Sequence, residues 1–174
     1  ENPDMVMMGG GNPGRLPVME DVFRRRLEAV LRDPQQSHRL LGRYQSPQGD
    51  REFRTSVAEL LREQFGWPLT AANIAISNGS QSAFFALFNM FAGPMPDGRR
   101  RTIHLPLTPE YLGYADNGLC EQFFGATRPD IEELDGRLFK YHVDFSRLAL
   151  DDSVGALCVS RPTNPTGNVL TDEE

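Results

Sequence analysis

Val154 to Gly167 reads VGALCVSRPTNPTG. Its first six residues are small or apolar, too few for a helix, with Val at both ends, so they predict a buried strand. A polar turn follows, Asn164-Pro165-Thr166-Gly167, in which Pro fixes one φ and Gly permits a positive one. Such a turn sequence is common, and alone it is weak evidence for a site. Beyond it, Thr171-Asp-Glu-Glu174 spells a capping box, with acidic residues where a helix dipole favours them. One turn cannot sustain itself. The signal predicts a helix continuing past Glu174, and the chain is expected to be a fragment.

Upstream, the pattern alternates. Val22, Phe23, Leu27, Val30 and Leu31 fall at helical spacing between Met19 and Leu31, and Asp33-Pro34 stops that helix. Asp50 can cap a second helix through Phe53, Val57, Leu61 and Phe65, closed by Gly66. Strands are predicted at Asn73–Ser77, Thr102–Pro106, Glu121–Phe124 and Val154–Val159. Between them lie an apolar helix, Ser82–Phe91, and short helical stretches after Pro109 and from Val143-Asp-Phe145; residues 130–141 read as irregular. Alternating helices and strands predict an α/β domain with a largely parallel sheet flanked by helices.

Composition narrows the function classes. The 174 residues are 39% hydrophobic and 24% charged, ordinary for a globular domain. A net charge of −6 and an isoelectric point near 5.1 offer no basic footprint for nucleic acid or an anionic membrane. Arg99-Arg100-Arg101 follows a Pro-Asp-Gly turn and reads as solvated. Cys120 and Cys158 sit in apolar contexts without metal or disulfide spacing and read as buried free thiols of a reducing compartment. No run spans a membrane and no signal peptide is visible, so the expected location is cytoplasmic. His38, His104 and His142 form no metal-ligand spacing, and no carboxylate pair offers an acid/base couple.

Ile74–Ser82 (IAISNGSQS) reads as strand, small-residue turn and helix start. A helix N-terminus presents unpaired N–H groups and partial positive charge to an anion. Gly79 allows close approach and Ser80 adds a hydroxyl. Asn and Ser also simply cap helices, so alone the pattern is a common βα turn. It is no Walker loop, because no Lys follows the glycine, and Gly9–Gly14 lacks the flanking strand and helix of a dinucleotide fingerprint.

Five motifs occur in order: Gly10-Gly-Asn-Pro13, Tyr44-x-x-Pro-x-Gly49-x-x-x-Phe-Arg54, Asn78-Gly-Ser-Gln81, Pro109-x-Tyr111-x-x-Tyr114 and Asn164-Pro-Thr-Gly167. Together they resemble the fold-type I, pyridoxal-phosphate-dependent aminotransferases of classes I and II. The resemblance implies that Gly79, Ser80 and Gln81 cradle the cofactor's phosphate, with Tyr44 reaching it from the other subunit of a homodimer. It implies that Tyr111 stacks on the pyridine ring and that Asn164 donates to the ring's phenolic oxygen. Gly11 and Asn12 would meet the substrate carboxylate. Residues 1–43 would be an N-terminal segment of the small domain and interface, and 44–174 the front part of the large cofactor-binding domain. The implied reaction passes an amino group between an amino acid, here valine or alanine, and a 2-oxo acid such as pyruvate.

Transamination in this family needs a Schiff-base lysine. Lys140 is the one lysine, and it precedes the Asn-Pro-Thr-Gly turn, whereas the family places its lysine well after it. No catalytic residue is therefore expected in these residues, and the piece alone should be inactive. Arg161 departs from the family's commoner small residue and reads as a surface or interface ion pair, with contact to substrate as the alternative. Two alternatives share the same motifs: another pyridoxal enzyme such as a carbon–sulfur lyase, and a non-catalytic aminotransferase-like binding domain.

Overall fold

Asp33 ends one helix and starts the next. In the computed structural model, which describes residues 13–174, α1 (Pro17–Arg32) begins on a proline, where the missing N–H has no helical partner to lose. Asp33 leaves the helix in an extended conformation, and its carboxylate accepts the N–H groups of Gln35 and Gln36 at 2.9 and 3.3 Å. That cap opens α2 (Pro34–Gly42), which the sequence reading passed over. An Asp followed by Pro is a start signal as much as a stop. Gly11 and Asn12 lie outside the described residues.

The chain divides into two units after Phe53. In the first, Arg39 of α2 pairs with Asp50 and with Glu52, the latter at 2.8 Å. Asp50 also accepts the Phe53 N–H at 2.9 Å, opening α3 (Arg51–Phe65) as expected; α3 ends at Gly66, whose φ is +69°.

In the second unit the predicted strand at Asn73–Ser77 is absent. Ala71–Asn73 forms a 3-10 turn capped by Thr70, and residues 74–77 find no ladder partner among the described residues. Buried Arg54 donates to Ala71 O at 2.7 Å and to Ile74 O at 3.5 Å. The apolar helix is α4 (Ser80–Phe91).

The sheet is mixed, with a parallel centre. β1 (Gly93–Pro94) pairs antiparallel with β2 (Arg100–Leu105). β2 then runs parallel to β3 (Phe124–Ala126) on one edge and to the strand predicted from Val154, here Val154–Leu157, on the other. β3 starts three residues later than predicted because Gln122 adopts φ +53° and turns the chain until Phe123. Residues 130–141, read as irregular, form a hairpin: β4 (Asp130–Leu134) and β5 (Leu138–His142), joined by a turn with Gly136 at φ +75°. The final strand is therefore β6. No helix forms at Val143–Phe145. Asp144 accepts the Ser146 and Arg147 N–H groups and closes a turn.

Helix α4 packs on β2 and β6. Phe88, Ala92, Ile103, Tyr114, Phe123 and Cys158 form the core. The contact with β6 is backbone-close: a Cβ on Gly155 would lie 1.7 Å from the Phe91 carbonyl oxygen. Both cysteines are free, Cys158 buried and Cys120 half-buried. Among the described residues, no helix is long and apolar enough to cross a membrane, and no cluster of His, Cys, Asp or Glu could hold a metal ion.

Candidate functional site

The start of α4 has no side-chain cap. Gly79 stands at the N-cap position with φ 128° and ψ 163°, a region open essentially to glycine, and no heavy atom lies within 4 Å of where its Cβ would be. Ser80 begins the helix, exposed, and its hydroxyl makes no hydrogen bond among the described residues. Uncapped N–H groups, a helix dipole and open space in front of a glycine make a place for an anion.

Gln81 behaves differently from its neighbours. Its Nε2 donates to Gly113 O at 3.2 Å, and its Oε1 accepts from Asn117 Nδ2 at 3.0 Å. The amide is thus a bracket that holds the loop against the 3-10 segment Leu112–Asn117. The approach at Gly113 is close: a Cβ there would come within 2.4 Å of both Gln81 Nε2 and the Tyr111 ring, and these side chains would have to shift.

Tyr111 immediately precedes that segment, half-buried, its ring edge-on to Tyr114 at 5.3 Å between centroids. Its N–H is held by Glu110 Oε1 at 2.9 Å. The other oxygen of Glu110 accepts the Ser160 N–H at 3.1 Å and Arg161 Nη1 at 2.9 Å. Arg161 is therefore not a surface residue. Its side chain is 8% exposed and that of Glu110 3%. Its Nη2 donates to Leu107 O at 2.6 Å and its Nη1 to Ser160 O at 2.7 Å and to Thr163 Oγ1. The ion pair expected of it exists, but inside the unit. Burial of both groups made it illegible from sequence, because the partners stand fifty-one residues apart.

The turn after β6 closes on Thr163, which is 2% exposed: Gly167 N–H donates to Thr163 O at 2.6 Å, and Thr163 N–H to Asn168 O at 3.0 Å. Gly167 has φ +70°, as its place in the turn required. Asn164 sits at the exposed tip with no side-chain hydrogen bond among the described residues. Asn168, which the sequence reading did not single out, exchanges two hydrogen bonds with the Tyr141 backbone, both at 3.2 Å.

Gln81, the Glu110–Asn117 segment and the Ser160–Asn168 turn are thus joined by one hydrogen-bonded series. Tyr44 lies in the first unit, fully exposed at 103%. Lys140 lies on β5, with Nζ donating to Val169 O at 2.6 Å. Burial pushes the Tyr114 hydroxyl and the Cys158 thiol up from their ordinary values.

A family model described as aminotransferase class I and II matches residues 13–174, and the chain belongs to that family. It is 52% identical over 172 residues to the valine–pyruvate aminotransferase of Escherichia coli (strain K12), covering 99% of this chain and 41% of that one. The crystal structure of valine-pyruvate aminotransferase from Salmonella typhimurium LT2 superposes with a TM-score of 0.80 at 48% identity, over 97% of this chain and 41% of that one. A putative amino-acid aminotransferase from Psychrobacter arcticum 273-4 gives 0.86 at 41% identity, over 100% and 44%. The fold is the α/β fold of the fold-type I aminotransferases. The chain spans about two fifths of the length of these relatives.

Proposed function

We propose that the full-length protein is a pyridoxal-phosphate-dependent aminotransferase that exchanges an amino group between valine or alanine and a 2-oxo acid, in the cytoplasm and as a homodimer. The observation that carries this reading is the uncapped start of α4 at Gly79–Gln81, bracketed by Gln81 to the segment that Tyr111 precedes. The residues suit the cofactor. Gly79, Ser80 and the first N–H groups of α4 would hold its phosphate. Tyr111 would present an aromatic face to its ring. Asn164, whose amide is uncommitted, would donate to the phenolic oxygen and favour its anionic form.

When bound, the cofactor supplies the aldehyde that takes up the amino group and the ring that accepts electrons from the substrate's Cα. The described residues hold and orient. Tyr44, exposed in this chain, is proposed as a phosphate contact made across a dimer. Gly11 and Asn12 are proposed for the substrate carboxylate. Residues 1–43 are read as part of the small domain and interface, and 44–174 as the front of the large domain. Lys140 precedes the Asn164-Pro-Thr-Gly167 turn, where the family's lysine would follow it, which supports the inference that these 174 residues alone transfer no amino group.

The test uses full-length protein. It should retain pyridoxal phosphate through dialysis and form alanine from valine plus pyruvate, and Ser80→Glu should strip the cofactor by placing charge and volume at the phosphate. Ammonia release from sulfur amino acids without transfer to pyruvate would point to a lyase instead. Unchanged occupancy in Ser80→Glu would remove the phosphate assignment.

A further inference from the structure

We propose that Glu110 and Arg161 are a positioning pair. This buried ion pair sets Tyr111 and the Asn164 turn in register with each other, so that the electronic state of a bound pyridoxal phosphate depends on it as well as its affinity. The inference rests on the cofactor reading above and deepens it.

The carboxylate of Glu110 divides its two oxygens between two segments. One holds the backbone N–H of Tyr111, and the other holds the backbone N–H of Ser160 and the Arg161 guanidinium. Arg161 carries the connection onward to Thr163, and Thr163 closes the turn through Gly167 and Asn168. Tyr111 and Asn164 make no side-chain hydrogen bonds of their own among the described residues. Their placement is inherited from neighbours, and both sets of neighbours are rooted in one carboxylate.

Stability alone is a poor reason for this arrangement. A buried ion pair can often be exchanged for apolar groups at no cost, because the desolvation of two charges offsets their attraction. This pair also leaves Arg161 Nε buried without a partner among the described residues. What it does supply is direction. A planar guanidinium whose two Nη groups reach three acceptors besides Glu110, and a carboxylate that uses both oxygens, fix geometry more tightly than apolar packing does. With Leu107 O, Ser160 O, Thr163 and Glu110 as partners, the Arg161 head group is committed inside the unit and is not offered to substrate.

The experiment compares full-length Glu110→Gln, Arg161→Met, Arg161→Lys and the double variant Glu110→Gln/Arg161→Met. Three readouts are taken: melting of the apoprotein, the dissociation constant for pyridoxal phosphate by dialysis, and the pH midpoint of the bound chromophore. Each neutralising single variant should melt earlier and weaken cofactor binding about tenfold, the scale of one lost charge-assisted hydrogen bond. The double variant should recover most of the melting temperature, since no charge is left unpaired. It should keep the weakened binding and a midpoint displaced by about one pH unit. Arg161→Lys retains the charge but not the fork, and its midpoint should stay displaced. A double variant with wild-type affinity and midpoint would overturn the proposal and leave a merely structural pair.

If wild-type full-length protein took up no pyridoxal phosphate, the cofactor reading would fall. The positioning would still be read in the apoprotein by hydrogen exchange. Glu110→Gln should loosen residues 111–117 and 160–168 together, and loosening of one segment alone would overturn it.

Discussion

Gln81 and Asn117 meet head to head, the Asn117 amide donating to Gln81 Oε1 at 3.0 Å while Gln81 donates onward to Gly113 O. Asn117 is 9% exposed, and its own carbonyl accepts from Asn89 of α4 at 2.7 Å. The first and last turns of α4 are therefore tied to the same short segment. Asn117→Leu removes the donor and leaves a half-buried network unmet, which should cost about 1–3 kcal/mol in urea unfolding of the full-length protein. A loss below the resolution of the measurement would mean that solvent already satisfies these groups.

Thr163 and Asn164 are neighbours with opposite duties. The Thr163 hydroxyl donates to Ser160 O at 3.0 Å and accepts from Arg161 in a site that is 2% exposed. Thr163→Val should lower stability by about 1–3 kcal/mol, because a buried guanidinium loses an acceptor. Asn164→Ala should leave melting nearly unchanged, within about 0.5 kcal/mol as at other exposed positions. In the cofactor-loaded protein it should move the absorbance band. Equal melting losses in the two variants would contradict this division.

His142 gives the fold a defined pH range. Its Nε2 meets Glu132 at 2.8 Å and its Nδ1 meets Glu174 at 3.1 Å. The Glu132 bond raises it above the ordinary 6.5, against desolvation, and Glu174 adds to the rise. Burial alone would raise Glu174, but the N–H groups of Thr171 and Val143, the Thr171 hydroxyl and His142 bring it down from 4.5 to about 2. The histidine's contribution is complete below pH 6.5 and fades as pH climbs past its raised value. The carboxylate's contribution is complete above pH 4.5 and is lost as pH falls through about 2. Melting measured across pH should therefore plateau between those limits. His142→Gln should flatten the alkaline decline; an unchanged decline would assign it to other groups.

Two glycines predict opposite tolerance. Gly155→Ala would drive a Cβ into the Phe91 carbonyl, backbone against backbone, with neither side able to swing away. The cost should reach about 3 kcal/mol or more and show as loss of soluble protein. Gly136, at φ +75°, has nothing within 4 Å of its absent Cβ. There only left-handed strain opposes a side chain, about 1–2 kcal/mol for Ala and less for Asn. Gly136→Asn should express and melt like the parent.

The helices were legible because apolar spacing and caps are local; α1, α3 and α4 lie where Leu27, Leu61 and Phe88 placed them. Helix α2 was missed on a local ambiguity, since Asp33-Pro34 both stops one helix and starts another; the misread strands failed for non-local reasons. Ile74–Ser77 has strand composition, but a strand exists only by pairing, and Arg54 claims the carbonyl of Ile74. The β4–β5 hairpin carried an Asp135-Gly136 turn signal, yet its strands lack the clean alternation of a half-buried face, and β4 is exposed throughout. The Thr171 capping box was readable and forms, with Thr171 and Glu174 exchanging backbone and side-chain bonds at 2.8–3.3 Å. At the site, the loop, the tyrosine and the turn were visible as motifs. Glu110, Asn117 and Asn168, which fasten them, were not, since a fastening residue shows only once its distant partner is in place.

The absent side chain at Gly155 also has a mechanical reading. It lets the last carbonyl of α4 rest directly on β6, while Gln81 fastens the other end of the helix. Between those two anchors α4 is a strut of twelve residues, roughly 18 Å long. A strut held at both ends passes displacement along its length instead of absorbing it. A shift of the sheet at β6 is thereby coupled to the Gly79–Ser80 loop, so a residue at the far end of the helix can set where that loop stands.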